Sequence, residues 1–300
     1  MDTTGPTSRG MTALLSGALL LGFAAIFTKF AERGGALPLA IGFYRMLSAL
    51  PFIILLAFLS KEGWGEARHR RWAILAGLLF VGDLWLWHAS LRFTSAANAT
   101  LMACLAPLWV ALVSVAFLHA RLRKRAWTGL ALAMGGAAVL GLAKGARWGT
   151  GLGEALGFGA SLAYGLFTVA LAQARQGIGA RNALLIVTGT CVVAFGILAL
   201  TQHEPLSGFT PSAWGALVGV GLICQVLAWI LITWGLGHVQ AHAGAVGLLL
   251  QPAATVGLAW WMLHEAVKPL QGFGVLLILI GVALSASAPP LPSRARGVRT

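Results

Sequence analysis

Charged residues are scarce in this chain: Asp, Glu, Lys and Arg make up 10% of its 300 residues, against 58% hydrophobic residues. Soluble domains carry roughly 25% charged residues, which excludes a protein with a water-facing surface on all sides. The apolar residues form long runs without period-2 alternation, which argues against the strands of a membrane barrel. Runs of about 20 apolar residues match the thickness of a bilayer, where such a backbone is helical. The composition therefore predicts an all-α polytopic membrane protein.

Cysteines and catalytic motifs are also sparse. Cys104, Cys191 and Cys224 lie in apolar segments, and none belongs to a CxxC pair or a histidine-rich cluster, so neither a disulfide framework nor a metal site is indicated. The sequence contains no HExxH, GxSxG or GxxxxGK[ST] motif, and Ser161 has no base at a recognisable spacing. We expect no enzymatic activity and no cofactor, and transport that is either downhill or coupled to an ion gradient.

The formal net charge of +13 is interpreted as a topological signal rather than as nucleic-acid binding, because the basic residues lie mainly in short loops. Fourteen Lys and Arg residues fall on the side that both termini share, and six fall on the opposite side. Cytoplasmic loops carry the excess of Lys and Arg, so we expect both termini in the cytoplasm. The predicted spans are 10–31, 38–59, 72–92, 96–118, 126–143, 151–173, 180–201, 212–235, 241–263 and 269–288.

The chain contains an internal repeat. A shift of 140 residues lays Gly17 on Gly157, and a shift of 145 lays Pro107 on Pro252, His119 on His264, Gly129 on Gly274 and Gly136 on Gly281. The shift covers five spans, an odd number, so the second copy enters the membrane from the opposite side. Such inverted pairs are typical of transporters with a midplane site; the alternative is a generic helical bundle. The predicted plan is ten transmembrane helices as a 5+5 inverted-topology repeat: 1–145, 146–288 and a disordered cytoplasmic tail, 289–300.

Three segments carry a family resemblance: Phe43-Tyr44-Arg45, then Phe93–Thr100 followed by Pro107, and His264–Val267 followed by Gly274 and Gly281. Together they resemble the drug/metabolite transporter (DMT) superfamily, EamA type. Within it, the Tyr164 region of the sixth span and the Trp-rich third and eighth spans resemble the bacterial aromatic amino-acid exporters. The first repeat departs from this pattern, because Ala120 stands where the second repeat has Glu265.

The resemblance implies a secondary transporter in the bacterial inner membrane that exports amino acids, aromatic and other neutral ones among them. Alternating access between the repeats is the expected mechanism, and one chain is expected to function as a monomer because it supplies both gates. The expected partners are a small-molecule substrate and the lipid bilayer, without nucleic acid. The alternative is a DMT-type transporter of another small metabolite or a drug cation.

Polar residues inside spans are the candidate substrate-binding residues. Gln225, Trp229 and Thr233 recur every four residues, on one helical face. A stripe that mixes polar and aromatic groups is costly against lipid, so we expect it to line a cavity, with helix packing as the alternative. Tyr164 lies beside Ser161 and Gly165, a small-residue surface that a substrate could approach.

The third span carries Asp83, Trp87 and His88. Asp83 is interpreted as a proton carrier or a partner of Arg45, or else as a structural hydrogen-bonding residue near an aqueous entrance. His88 suits proton traffic or a structural role. Arg45 is expected to snorkel to the interface, with a substrate carboxylate as its alternative partner.

Helices four and nine add a polar residue and a pair of prolines. Asn98 opens the fourth predicted span and is a further substrate-binding candidate. Pro107 and Pro252 occupy matched positions in the two repeats, and each removes a backbone donor. We expect them to supply paired kinks for gating.

Overall fold

A computed structural model describes residues 8–91, 93–94, 102, 104–117, 122–143, 151–263 and 267–286. Within these ranges all regular structure is helical. The helices are α1 (Ser8–Leu21 and Phe23–Arg33), α2 (Pro38–Phe58), α3 (Ala67–Leu91), α4 (Ala106–Ala116), α5 (Lys124–Ala143), α6 (Leu152–Ala174), α7 (Ala180–Thr201), α8 (Pro211–Gly219, Val220–Ala228 and Trp229–Leu236), α9 (Ala241–Leu248 and Leu250–Leu263) and α10 (Pro269–Ala286).

Seven helices of the described part of the chain are long and apolar enough to cross a bilayer by length and composition: α1, α2 and α5 to α9. The α4 and α10 helices are apolar but shorter, and α3 begins with a basic turn and contains Asp83. The prediction of an all-helical polytopic protein is therefore confirmed. That all ten helices span the membrane stays a prediction.

Two helix breaks lie at repeat-related positions. The Leu105 N–H donates to the carbonyl of Met102, and the Leu249 N–H donates to the carbonyl of Val246, each at 3.0 Å. Pro107 and Pro252 follow these turns, each within the first turn of a helical segment. A missing N–H costs nothing there, because first-turn donors have no intrahelical acceptor. Both breaks thus lie directly before a proline, and the expectation that Pro107 and Pro252 supply paired kinks for gating stays a prediction.

The helices pack as antiparallel pairs: α1 with α8, α2 with α7, α3 with α6 and α5 with α10. The α5–α10 pair is in backbone contact, with Gly129 opposite Gly281 and Gly136 opposite Gly274. Small residues allow such close approach between helices in lipid. Under the shift of 145 residues, Gly129 corresponds to Gly274 and Gly136 to Gly281, so exchanging the two halves turns each contact into the other. A two-fold axis has this effect on an interface.

Candidate functional site

The polar stripe of α8 is buried inside the helix bundle. Gln225, Trp229 and Thr233 are 0%, 2% and 0% exposed. The backbone from Val220 to Ala228 is π-helical, so the four-residue spacing does not follow the regular α-helical turn that the sequence predicts. Single π-helical turns occur frequently at functional sites. Here the turn places Gln225 opposite α2 and α7, where it meets a cation.

Arg45 of α2 is directed into the bundle and not towards the interface. Its Nε donates a hydrogen bond to Oε1 of Gln225 at 3.2 Å, and Nε2 of Gln225 donates to Oγ1 of Thr188 at 3.4 Å. The guanidinium carbon lies 5.7 Å from the ring centroid of Phe80, a cation–π distance. The expectation that Arg45 snorkels is therefore wrong. Its guanidinium is anchored to α8 and α7 through one nitrogen only.

The close approach of α8 to α2 explains this contact. A β-carbon on Gly221 would lie 3.0 Å from the carbonyl oxygen of Arg45 and would meet the Ser48 hydroxyl. Only glycine fits against the neighbouring backbone at that distance. Gly221 therefore brings the π-helical turn, and with it Gln225, within reach of Arg45.

Two further polar groups face Arg45 from other helices. Asp83 of α3 and Tyr164 of α6 both interact electrostatically with its guanidinium. All three side chains are half-buried. The Asp83 carboxylate and the Tyr164 hydroxyl make no hydrogen bond with another described residue. A carboxyl group, a phenol and a guanidinium thus lie near one another without a direct ion pair, in an arrangement that leaves their hydrogen-bonding groups free for water or a ligand.

An aromatic cluster adjoins these charges: Phe80, Phe167 and Trp229. The rings of Phe80 and Phe167 stack with centroids 4.7 Å apart, and Trp229 meets them edge-on at 5.4 and 5.2 Å. Tyr164 lies against Phe167 at 5.7 Å. The Trp229 Nε1 is buried and has no hydrogen-bond acceptor among the described residues, which is unusual for a buried donor. The sequence does not predict Phe80 and Phe167 as site residues, because an apolar residue within an apolar span does not differ from its neighbours.

The remaining residues that the sequence predicts for the site lie at different places in the structure. Trp87 is half-buried on α3, one turn after Asp83. The side chain of His88 and all of Asn98 lie outside the described residues. Gly165 and Ser161 are covered by Trp109 of α4, whose Nε1 donates to the Ser161 hydroxyl at 3.0 Å. The small-residue surface beside Tyr164 is therefore a packing contact between α4 and α6, and the expectation that a substrate approaches it is wrong.

The described part of the chain offers no cluster of three or more His, Cys, Asp or Glu side chains that could hold a metal ion. A groove of about 530 Å³ lies between α1 and α9, away from the charged residues. Its lining is apolar apart from one serine: Ser16, Leu19, Leu20, Phe23, Ala254, Gly257 and Leu258. The charged and aromatic residues around Arg45 are therefore the better candidate for binding a polar solute.

One polar side chain at the end of α6 lies outside the spans. Nε of Arg175 donates to the carbonyl of Thr233 at 2.8 Å, which ties the end of α6 to α8. Burial lowers the pKa of Arg175, and the negative charge of Glu62 acts in the opposite direction. Arginine side chains stay protonated at neutral pH in proteins, so the Arg175 guanidinium carries a positive charge.

Comparison with known proteins gives a consistent result. The family model described as "EamA-like transporter family" matches residues 8–142 and again residues 151–287. The chain is 26% identical over 262 residues to "Uncharacterized transporter YwfM" of Bacillus subtilis, covering 85% of the chain and 86% of the relative. It is 25% identical over 264 residues to an "Uncharacterized transporter" of Archaeoglobus fulgidus, covering 83% and 87%. A solved structure described as "Crystal structure of protein" superimposes with a TM-score of 0.75 at 21% identity, covering 93% of this chain and 96% of that one, which shows a shared fold.

Proposed function

Because the chain belongs to the EamA-like transporter family of the DMT superfamily, we propose that it exports amino acids, aromatic and other neutral ones among them, across the bacterial inner membrane. One observation carries this substrate class. The Arg45 guanidinium and the Asp83 carboxyl group are half-buried and interact electrostatically without a direct ion pair, beside the aromatic cluster of Phe80, Phe167 and Trp229.

A zwitterion matches these two charges. The planar guanidinium of Arg45 binds a carboxylate through paired N–H donors, and the Asp83 carboxylate accepts hydrogen bonds from an ammonium group. Binding then leaves the net charge of the site unchanged, so the low-dielectric interior holds no uncompensated ion. The aromatic cluster offers the apolar side chain of the substrate a surface for stacking and burial.

Alternating access between two inverted repeats is the mechanism we propose. The two stretches that match the family model and the exchangeable glycine contacts of α5 and α10 support a division at residues 145/146. Antiparallel packing of α2 with α7 and of α5 with α10 agrees with a second copy that enters from the other side. The repeat-related breaks that precede Pro107 and Pro252 are the proposed bending points. The excess of Lys and Arg on the side that both termini share supports a cytoplasmic location for them.

A second candidate substrate is a drug cation, and Asp83 is the observation that favours it. Arg45 opposes that candidate, because an unaccompanied cation would meet like charge in a low-dielectric setting. A phosphorylated anion would call for several convergent cations. The described interior of the bundle supplies Arg45 alone, so zwitterions remain the favoured class.

Flux measurements on the purified protein in vesicles test the proposal. Labelled tryptophan should exchange well above empty vesicles, and unlabelled tryptophan should compete at least tenfold better than tryptamine, which lacks the carboxylate, or indole-3-propionate, which lacks the ammonium group. Arg45→Met and Asp83→Asn should each lower flux more than tenfold, while Lys61→Met, a charge deletion in an exposed loop, should not. Absence of flux for every amino acid would overturn the proposal.

A further inference from the structure

Two glutamates cap helices that belong to the other half of the chain. Glu62 lies in the loop between α2 and α3, and its Oε2 accepts a hydrogen bond from the Arg181 N–H at 2.8 Å, in the first turn of α7. Glu204 lies in the loop between α7 and α8, and its Oε1 accepts a hydrogen bond from the Ala40 N–H at 2.6 Å, in the first turn of α2. A carboxylate at a helix N-terminus makes a charge-assisted hydrogen bond that the helix dipole strengthens.

The two caps are related by the internal repeat. Glu62 and Glu204 are 142 positions apart, and their partners Ala40 and Arg181 are 141 apart, within the shifts of 140 to 145 residues that align the halves. Exchanging the halves therefore turns one cap into the other. Because α2 and α7 run antiparallel, the caps lie at opposite ends of this helix pair, and so at opposite membrane faces.

Backbone contacts reinforce each cap. At the Glu62 end, the Gly179 N–H donates to the Gly63 carbonyl at 3.1 Å, and Asn182 Nδ2 donates to the Glu62 carbonyl at 3.0 Å. At the other end, the Thr210 N–H donates to the Gly34 carbonyl at 3.1 Å. Each membrane face thus carries a direct connection between the two halves.

We propose that Glu62 and Glu204 are positioning residues for transport, each holding the two halves together at one face, and that the two caps release in alternation. This proposal rests on alternating access. An inverted repeat opens to each side by two equivalent rearrangements, which call for one equivalent contact at each face. Arg45 and Thr188 lie between the two caps along α2 and α7, so releasing either cap opens a route to them from one side.

Native thiols report on this opening. Cys191 and Cys224 are fully buried and lie close enough to Arg45 to interact with it electrostatically. In a Cys104→Ala background, a membrane-impermeant maleimide is applied to the outer face of right-side-out or inside-out vesicles. We expect Glu62→Ala to accelerate labelling at least threefold from one face, and Glu204→Ala to do so from the opposite face.

Glu66 supplies the control, because it is an exposed carboxylate close to Glu62 whose side chain makes no hydrogen bond with a described residue. Glu66→Ala should leave both labelling rates unchanged. Equal acceleration from both faces, or none from either, would overturn the proposal. The measurement uses no substrate, so its outcome does not depend on whether the chain carries amino acids.

Cross-linking gives a second measurement should an alanine variant fail to fold. In a chain without its native cysteines, Glu62→Cys is paired with Asn182→Cys, and Glu204→Cys with Ala40→Cys. A short bis-maleimide that closes either pair should reduce exchange at least tenfold relative to the same double variant before cross-linking. The same reagent should not change the exchange of a variant that carries only one cysteine of a pair. Undiminished exchange with a closed pair would contradict alternating release. If the protein carries no amino acid, the maleimide labelling rate of a single cysteine placed at Thr188 measures opening instead of flux. Closing either cross-linked pair should then lower that rate from one membrane face.

Discussion

Gly129 and Gly281 meet backbone to backbone where α5 crosses α10. A β-carbon on Gly129 would lie 2.7 Å from the carbonyl oxygen of Gly281, and one on Gly281 would lie 2.6 Å from the carbonyl oxygen of Gly129. The contact is reciprocal, so a side chain on either helix would force both to move. This crossing fixes the distance between the last helix of each half.

Gly129→Ala should therefore destabilise the protein. Overpacking of a tight contact costs about 1–3 kcal/mol, and here the obstructing atoms belong to backbone. Thermal unfolding in detergent should show a lower midpoint for this variant. Gly135→Ala is the matched control on the same helix, because a β-carbon there meets nothing within 4 Å. Equal midpoints for the two variants would contradict the packing described for α5 and α10.

Tyr44 and Tyr164 differ in whether the side-chain hydroxyl is hydrogen-bonded, so each is a control for the other. The Tyr44 hydroxyl donates to the Leu206 carbonyl at 2.6 Å, which links α2 to the loop before α8. Tyr44→Phe should lower the unfolding free energy by about 1 kcal/mol. Tyr164→Phe should leave it unchanged, because its hydroxyl makes no hydrogen bond with a described residue, and should instead weaken substrate binding. An equal decrease of the unfolding midpoint in Tyr44→Phe and Tyr164→Phe would contradict both predictions.

The hydrogen-bonded chain Arg45–Gln225–Thr188 predicts that exchange flux falls more when Gln225 is substituted than when Thr188 is. Gln225→Leu removes the acceptor of a charged group inside the bundle, whereas Thr188→Val removes only an acceptor of the Gln225 amide. Loss of a partner costs more when a charge is left uncompensated. Exchange flux should fall more than tenfold for Gln225→Leu and only a few-fold for Thr188→Val. The reverse order would show that Gln225 does not position Arg45.

Two substitutions of Trp229 distinguish a role in packing from a role in substrate binding. Trp229→Ala should cost about 3–5 kcal/mol through the cavity it leaves beside the stacked rings of Phe80 and Phe167. Trp229→Phe keeps an aromatic ring there and removes a buried donor that has no acceptor in the described part of the chain, so its unfolding midpoint should stay much closer to that of the unchanged protein. Its KM for tryptophan should nevertheless rise if Nε1 binds substrate. An unchanged KM would assign Trp229 to packing alone.

The sequence predicts helix positions well because apolar runs mark membrane spans directly. The seventh predicted span, 180–201, coincides with α7 (Ala180–Thr201), and the first and eighth spans differ from the structure by at most two residues at each end. The π-helical turn within α8 was not predictable from that pattern, since it depends on how Gly221 packs against α2. The periodicity of apolar residues within one helix does not predict how closely a helix distant in sequence packs against it.

Long-range contacts account for the errors at the site. Arg45 was expected to reach the interface because its acceptor, Gln225, lies 180 residues away in the chain. The Glu62 and Glu204 caps were overlooked because both residues lie in loops, where a carboxylate is ordinary. Their spacing of 142 residues was nonetheless visible in the sequence, and a search for charged residues that recur at the repeat distance would have found them.

The π-helical turn of α8 has a consequence for how this helix can be altered. A π-helical turn accommodates one residue more than an α-helical turn, so Val220–Ala228 acts as a one-residue insertion within the span. Deleting Leu222, which lies in this turn, would let a regular helix form with Trp229 and Thr233 in about their present direction. A regular helix of unchanged length would instead rotate both side chains by about 100° relative to the helix before them. The single extra residue thus sets the angular alignment between the two ends of α8, and with it which side chains the helix presents to Arg45.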